Sequence, residues 1–417
     1  MPAGMQARPW GCPVQRTAPR ARSPRAAVDA FLLALLMGAS HVASFGFVIA
    51  GGWLLAPAQF GTLVALLGIV LVGMAPGMAV QALSAAGTLG RPVTIDAHLA
   101  RRLALGVAAS VTLLLLTLGH GLGASHPAVV ATTTAAAALL PLTAAREGLL
   151  IGRRRVVALG VVLLVGSAVK LVAGVTGMAA TDAMWAATVG IALGYLAQLT
   201  TSHRLAGRLP RRAAGETSPG VLTAAVAMGL LLALVHVDAV LAQFRLEGLD
   251  AGRYGVGVTA ARIVFWGPQF AMFLLYPRLV TDDRGRVVAG AIAGLLGLGA
   301  VTGAVATVIG PAAVGVVFGA GFAPIGAELW RFAWLGSVLL GLQVLVLSDL
   351  ATQRRATLGL LGVALVALVG AVLALRPSTP VGFVTLTAAV VSVALVIGTV
   401  HRVGRPAAAP VPAGEAA

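Results

Sequence analysis

Charge is scarce in this 417-residue chain, at 10% of residues, and acid is scarcer still: 13 Asp and Glu against 29 Lys and Arg. Aromatic residues make up 5%, with only three tyrosines. Lys170 is the sole lysine, so nearly all the positive charge is arginine. Cys12 is the sole cysteine, which excludes a disulfide framework and a thiolate metal site. Few carboxylates and histidines argue against a metal centre or a hydrolytic acid–base site, and no HExxH, phosphate-binding loop or nucleophile constellation is present. The sequence is read as non-enzymatic, with no cofactor and no metal.

Apolar residues make up 59%, and mean hydropathy is +0.98. That fits a polytopic helical membrane protein. The formal net charge of +16 does not mark a nucleic-acid binder, because the arginines fall in the gaps between apolar runs instead of on one face or tail. About 20 apolar residues cross the ~30 Å hydrocarbon core. Twelve such runs are expected, near 28–52, 61–83, 103–123, 128–150, 156–177, 183–203, 220–243, 254–277, 288–309, 327–350, 357–376 and 380–400. The first is too long for a signal-peptide core and is read as a retained helix.

Alternate gaps carry the arginines: Arg16 to Arg25, Arg91 to Arg102, Arg153 to Arg155, Arg204 to Arg212, Arg284 and Arg286, Arg354 and Arg355, then Arg402 and Arg405. The other gaps hold little more than Arg245, Arg253 and Arg376. The positive-inside rule then sets both termini in the cytoplasm of a multi-pass protein of the cell membrane. The expected organisation is a disordered N-terminus over 1–27, a six-helix lobe over 28–203, a linker over 204–219, a second six-helix lobe over 220–401 and a disordered tail over 402–417. Weak internal repeats support the division. Gln59-Phe60-Gly61 with Pro76-Gly77 is echoed by Arg253-Tyr254-Gly255 with Gly267-Pro268, and Glu147 before Arg153-Arg154 by Asp349 before Arg354-Arg355.

Ionisable groups inside apolar runs are the candidate functional residues, because a bilayer tolerates them only in a bundle interior or a wet cavity. The hairpin 218–278 holds His236, Asp238 and Arg262 and closes on Tyr276-Pro277-Arg278. Arg262 lies about nine residues into its run, ~14 Å deep, where snorkelling is hard. It is read as a substrate contact, or else as a structural ion pair or a donor to carbonyls freed by Pro268. Lys170 lies ~21 Å into the fifth run, with Gly166, Ser167 and Gly174 on its face. It is an anion contact or a snorkelling lysine. His41, beside Gly38 and Ser44, is a substrate or proton contact or a histidine bonded to a neighbouring helix. His236 and Asp238 are two residues apart, about 200° around a helix, so one cavity is not expected to take both. Asp238 shares a face with Arg245, which suggests an interfacial salt bridge or cap, with substrate or coupling roles as the alternative for both His236 and Asp238. Pro76 and Pro268 are expected to kink their helices, as gates or as plain bends. Lys170, Arg262 and His41 sit at similar depth and form the expected substrate site, one suited to an anion.

Several motifs resemble the polysaccharide-type, O-antigen flippase-like members of the multidrug/oligosaccharidyl-lipid/polysaccharide superfamily. They are Leu54-Leu-Ala-Pro-Ala-Gln-Phe60-Gly61, His236-Val-Asp238, Gly248-Leu-Asp-Ala-Gly-Arg-Tyr254-Gly with Pro277-Arg278, and Gly321-Phe-Ala-Pro-Ile-Gly. The resemblance implies an all-α fold of about twelve membrane helices in two six-helix lobes forming a V around a central cavity. It also implies a flippase that moves an anionic lipid-linked sugar, a polyprenyl-diphosphate oligosaccharide, across the cytoplasmic membrane by alternating access for surface polysaccharide biosynthesis. Its partners would be that substrate, membrane lipids and other polysaccharide-assembly proteins, with no nucleic acid. The alternatives are a drug/cation antiporter of the same superfamily, for which the first half offers only Glu147 as a buried acid, or a membrane-embedded assembly enzyme or scaffold. Asp283-Arg-Gly-Arg286 is similar to a major-facilitator loop motif but is one residue short.

Overall fold

A computed structural model describes residues 24–88, 97–209, 219–268, 284–352 and 356–403. Among these every regular element is helical. They are α1 (Pro24–Leu54), α2 (Pro57–Val72), α3 (Met74–Thr88), α4 (Ala97–Leu118), α5 (Pro127–Gly152), α6 (Val156–Thr181) and α7 (Met184–Ala206). There follow α8 (Pro219–Arg245), α9 (Gly248–Trp266), α10 (Arg284–Phe318), a 3₁₀ helix (Ala320–Glu328), α11 (Leu329–Thr352), α12 (Ala356–Leu375) and α13 (Pro380–Val403). Within the described residues each of the twelve expected runs is centred on one helix or, for the second, on α2 and α3 together, the eighth being described only as far as Pro268. Ten spans among the described residues are long and apolar enough to cross a membrane. Val42, Leu116, Val308 and Val366 are exposed large apolar side chains on these helices, as surfaces solvated by lipid require.

Several boundaries differ from expectation, each for a local reason. α1 begins at Pro24, where a proline at a helix start lacks only an N–H that has no partner anyway. At the other end α13 continues through Val403, and α7 runs on to Ala206. The second run breaks at Gly73: Pro76 cannot donate to the Val72 carbonyl, and its ring crowds that group, so α2 ends at Val72 and α3 starts at Met74. α9 starts at Gly248 and ends at Trp266, two residues before Pro268, and the chain beyond Pro268, on which the expected kink depends, lies outside the described residues. The expected continuation to Tyr276-Pro277-Arg278 lies outside the described residues, as do most of the linker, Asp283 and both chain ends. α10 is 35 residues long, well past the expected 288–309. It carries Pro311 within an unbroken apolar stretch, so nothing polar in the sequence marks an earlier end.

The first-half helices pack on one another, α6 against α1 and α7, and α5 against α3, α4 and α7. In the second half α11 packs on α9, α10 and α13, and α12 on α8 and α13. α2 joins the two sets, lying against α8 and α9, while α3 also meets α8. Every residue of α2 from Phe60 to Val70 is buried, so this helix faces neither lipid nor an open cleft. Close approach needs small residues here. A Cβ on Gly61 would lie 3.0 Å from the Ala251 carbonyl of α9, and one on Gly68 would lie 3.2 Å from the His236 carbonyl of α8.

The arginine-poor end of this contact is bound by rings and amides. Phe60 meets Phe318 at 6.0 Å and Phe322 at 5.9 Å between centroids. Trp53 Nε1 donates to the Val317 carbonyl at 2.6 Å, and Gln243 Nε2 donates to Thr62 Oγ1 at 2.9 Å. The Gly321-Phe-Ala-Pro-Ile-Gly motif lies in the 3₁₀ helix that supplies Phe322.

Candidate functional site

The sequence-selected residues fall into two groups that share a depth but not a direction. The first group joins α1 and α6. Ser40 Oγ lies 2.8 Å from Ser167 Oγ, Ser44 Oγ donates to Ser167 Oγ at 3.1 Å, and Lys170 Nζ donates to Ser44 Oγ at 3.0 Å. The ammonium also lies 5.7 Å from the centre of the Phe47 ring, within cation–π range. His41, on the same helix as Ser40 and Ser44, feels the Lys170 charge. Among the described residues no carboxylate pairs with Lys170. The half-buried lysine is thus held between α1 and α6 by a hydroxyl and a ring.

Gly166 and Gly174, on the lysine's helix, are packing residues. A Cβ on Gly166 would meet Gln198, and one on Gly174 would meet Phe47. α6 and α7 touch backbone to backbone: a Cβ on Gly190 would stand 2.5 Å from Gly174 N, and one on Gly194 would stand 2.8 Å from the Gly166 carbonyl. This crossing sets where Lys170 and Gln198 project.

Glu147 belongs to the same half, and its surroundings are richer than its place near a helix end suggests. It is buried on α5, and its two oxygens each accept an amide N–H, Oε1 from Gln198 at 2.7 Å and Oε2 from Gln81 at 3.1 Å. Tyr195 on α7 lies within reach of its charge. Among the described residues no arginine, lysine or histidine forms an ion pair with it. Adjacent Arg146 turns its guanidinium to its own helix, donating to the Leu142 carbonyl at 2.8 Å. A carboxylate held by neutral amides from two other helices is unusual in a membrane interior, where acids normally meet a cation or line a functional path. The readable signal lies in Gln81 and Gln198: a Gln in each of two apolar runs, needing buried partners.

The second group joins α2, α8 and α9. Arg262 and His236 are buried, as is Asp238. Arg262 Nη1 donates to the Val64 carbonyl of α2 at 3.4 Å. The expected Asp238–Arg245 interaction is absent among the described residues. Asp238 Oδ2 instead accepts from Tyr254 Oη at 3.0 Å, and Oδ1 accepts from the Ala239 N–H at 2.7 Å. The reason is helix rotation: Asp238 faces α9, where Tyr254 lies wedged between Phe332 at 5.6 Å and Phe383 at 5.1 Å. His236 and Asp238, expected to face apart, both interact with the Arg262 charge. That interaction acts through space: among the described residues the guanidinium makes no ion pair with Asp238 and no hydrogen bond to His236. Arg262 does not join Lys170 and His41 in one site, because α1 docks on α6 while α9 docks on α2. Equal depth does not imply a common face.

A third polar set closes the arginine-rich end of α11, α12 and α13. Asp349 Oδ2 accepts from the Thr357 N–H at 2.8 Å and its hydroxyl at 2.7 Å, capping α12. Asp349 Oδ1 pairs with Arg402 Nη1 at 3.5 Å beside a small cavity lined by Leu360, Ile397 and His401.

No protein-family model matches this chain, and no curated protein matches its sequence. Solved structures match over nearly its whole length. An inward-facing multidrug resistance MATE family transporter of the MOP superfamily aligns with a TM-score of 0.56 at 16% identity, covering 90% of this chain and 98% of the other. A MATE structure in the straight conformation gives 0.54 at 14% identity, with 89% and 94% covered. A MOP superfamily transporter from Pyrococcus furiosus, described as having a binding pocket of reverse polarity, gives 0.53 at 15% identity, with 90% and 94% covered. The fold is that of the MOP-superfamily transporters. At these identities the likeness concerns the fold, and the chemistry rests on the residues above.

Proposed function

We propose that this chain is an alternating-access exporter of amphipathic organic cations that exchanges them for protons at Glu147. The observation that carries this reading is the Glu147 carboxylate, buried, held by Gln81 and Gln198, and free of any ion-pair partner among the described residues. Such a group can hold either a proton or a substrate cation, but not both, and that exclusion is the requirement for exchange. Multidrug transporters of the same fold support the reading. It replaces polysaccharide-lipid flipping as the leading function. The orientation with both termini cytoplasmic, inferred from the arginine distribution, remains part of the proposal, as does the V-shaped pair of lobes.

A specific observation favours a second reading. Lys170, His41 and three serine hydroxyls gather positive charge and donors on α1 and α6 with no acid among them. That chemistry suits the diphosphate of a lipid-linked oligosaccharide. Proteoliposomes separate the two. With a pH gradient imposed, addition of tetraphenylphosphonium should dissipate the gradient only when the protein is present. A fluorescent polyprenyl-diphosphate oligosaccharide in the same vesicles should stay in its leaflet. Flipping of that lipid without proton release on cation addition would replace the first reading by the second.

A further inference from the structure

The contact of α2 with α8 and α9 contains polar groups that the proposed site does not use. His236 has no measurable exposure, and neither ring nitrogen has a hydrogen-bond partner among the described residues. Arg262, at 7% exposure, leaves Nε and Nη2 without a partner there. These groups come from two helices of the second half and press on one glycine of the first. A Cβ on Gly68 would meet the His236 carbonyl at 3.2 Å, His236 Cβ at 3.3 Å and Arg262 Nη2 at 3.4 Å. Leaving a buried donor or acceptor unmade costs its full desolvation penalty. Water reaching the contact would satisfy all four atoms.

We infer that the α2–α8–α9 contact is a spring-loaded gate, shut in this structure, in which unpaired His236 and Arg262 favour separation of α2 from α8 and α9. Close packing at Gly61 and Gly68 and the Gln243–Thr62 hydrogen bond between α8 and α2 oppose them. Shut, the gate points Arg262 at the backbone of α2 through Val64. Open, it returns the same guanidinium to water. The energetic asymmetry therefore lies in the half of the molecule opposite Glu147. This rests on the alternating-access part of the proposed function and not on the identity of the substrate.

The test uses the full chain in lipid nanodiscs, with Cys12 replaced by Ala and spin labels at Ser125→Cys and Ser378→Cys. Both positions are exposed in loops at the arginine-poor end, one in each half. Electron–electron distance measurement reads the ratio of short to long separations. His236→Met keeps an apolar bulk and removes two unpaired nitrogens, so the ratio of short to long separations should rise at least threefold over the parent. Gly68→Ala pushes α2 off, so the long-distance population should rise. A purely structural role would lower the melting temperature of both variants and leave the ratio alone. Two populations whose ratio does not respond to His236→Met, or moves toward separation, overturn the gate while leaving alternating access intact. One distance in every variant, Gly68→Ala included, overturns alternating access and the gate together.

Discussion

Replacing Gly190 by Ala tests the helix crossing that places the first-half polar groups. The new Cβ would stand 2.5 Å from Gly174 N, against ordinary contact at about 3.4 Å or more. The obstacle is backbone and not the tip of a flexible side chain, so relief requires α6 and α7 to part by roughly 1 Å. Overpacking costs about 1–3 kcal/mol when side chains can adjust. With backbone on both sides we place Gly190→Ala at the upper end, ~3 kcal/mol, which for a chain of this length corresponds to a fall of roughly 3–4 °C in melting temperature. Gly106→Ala on α4 is the control: its Cβ would meet nothing within 4 Å. It should be neutral or slightly stabilising, since glycine inside a helix is about 0.5–1 kcal/mol worse than alanine. Thermal unfolding of the purified protein in detergent, followed by size-exclusion fluorescence, measures both. Gly190→Ala melting with the parent, or Gly106→Ala falling as far as Gly190→Ala, would refute the backbone-contact geometry. Parting α6 from α7 also loosens the Gln198 bond to Glu147, so transport in Gly190→Ala should fall more than the surviving folded fraction explains.

Tyr254→Phe removes the hydroxyl that donates to Asp238 at 3.0 Å. A hydrogen bond to a charged group is worth about 1.5–3 kcal/mol, and the same thermal assay should show that loss while the variant still folds. Asp349→Ala strips the cap from α12 and the carboxylate from Arg402. Breaking a buried pair costs about 3–5 kcal/mol, and with a small cavity at hand to admit water we expect ~3 kcal/mol, again read as a lowered melting temperature.

The helix inventory is readable because apolar run length and arginine spacing are properties of the chain itself. The pairing of side chains is not. Helices that are apolar on every side carry little rotational signal, so nothing local says that Asp238 turns to Tyr254 and not to Arg245. Glu147 illustrates the same limit. Its partners Gln81 and Gln198 lie 66 and 51 residues away, and only the packing of α5 against α3 and α7 brings them together. Lys170 and His41 belong to one helix pair, α1 with α6, yet Arg262, selected on the same grounds, belongs to another. The end of α10 is hidden for a simpler reason: Pro311 sits inside an apolar run, and proline in membrane helices does not always mark a terminus.

Glu147→Gln is the substitution that separates function from folding. It preserves shape, loses one amide–carboxylate bond worth about 1.5–3 kcal/mol and removes a buried charge whose desolvation opposes folding, so the two effects offset and the variant should still fold. The measurement is tetraphenylphosphonium-driven proton release from proteoliposomes holding equal amounts of parent and variant. The account predicts that release falls to the level of empty vesicles in Glu147→Gln and persists in Lys170→Met. Unchanged proton release in Glu147→Gln would contradict it.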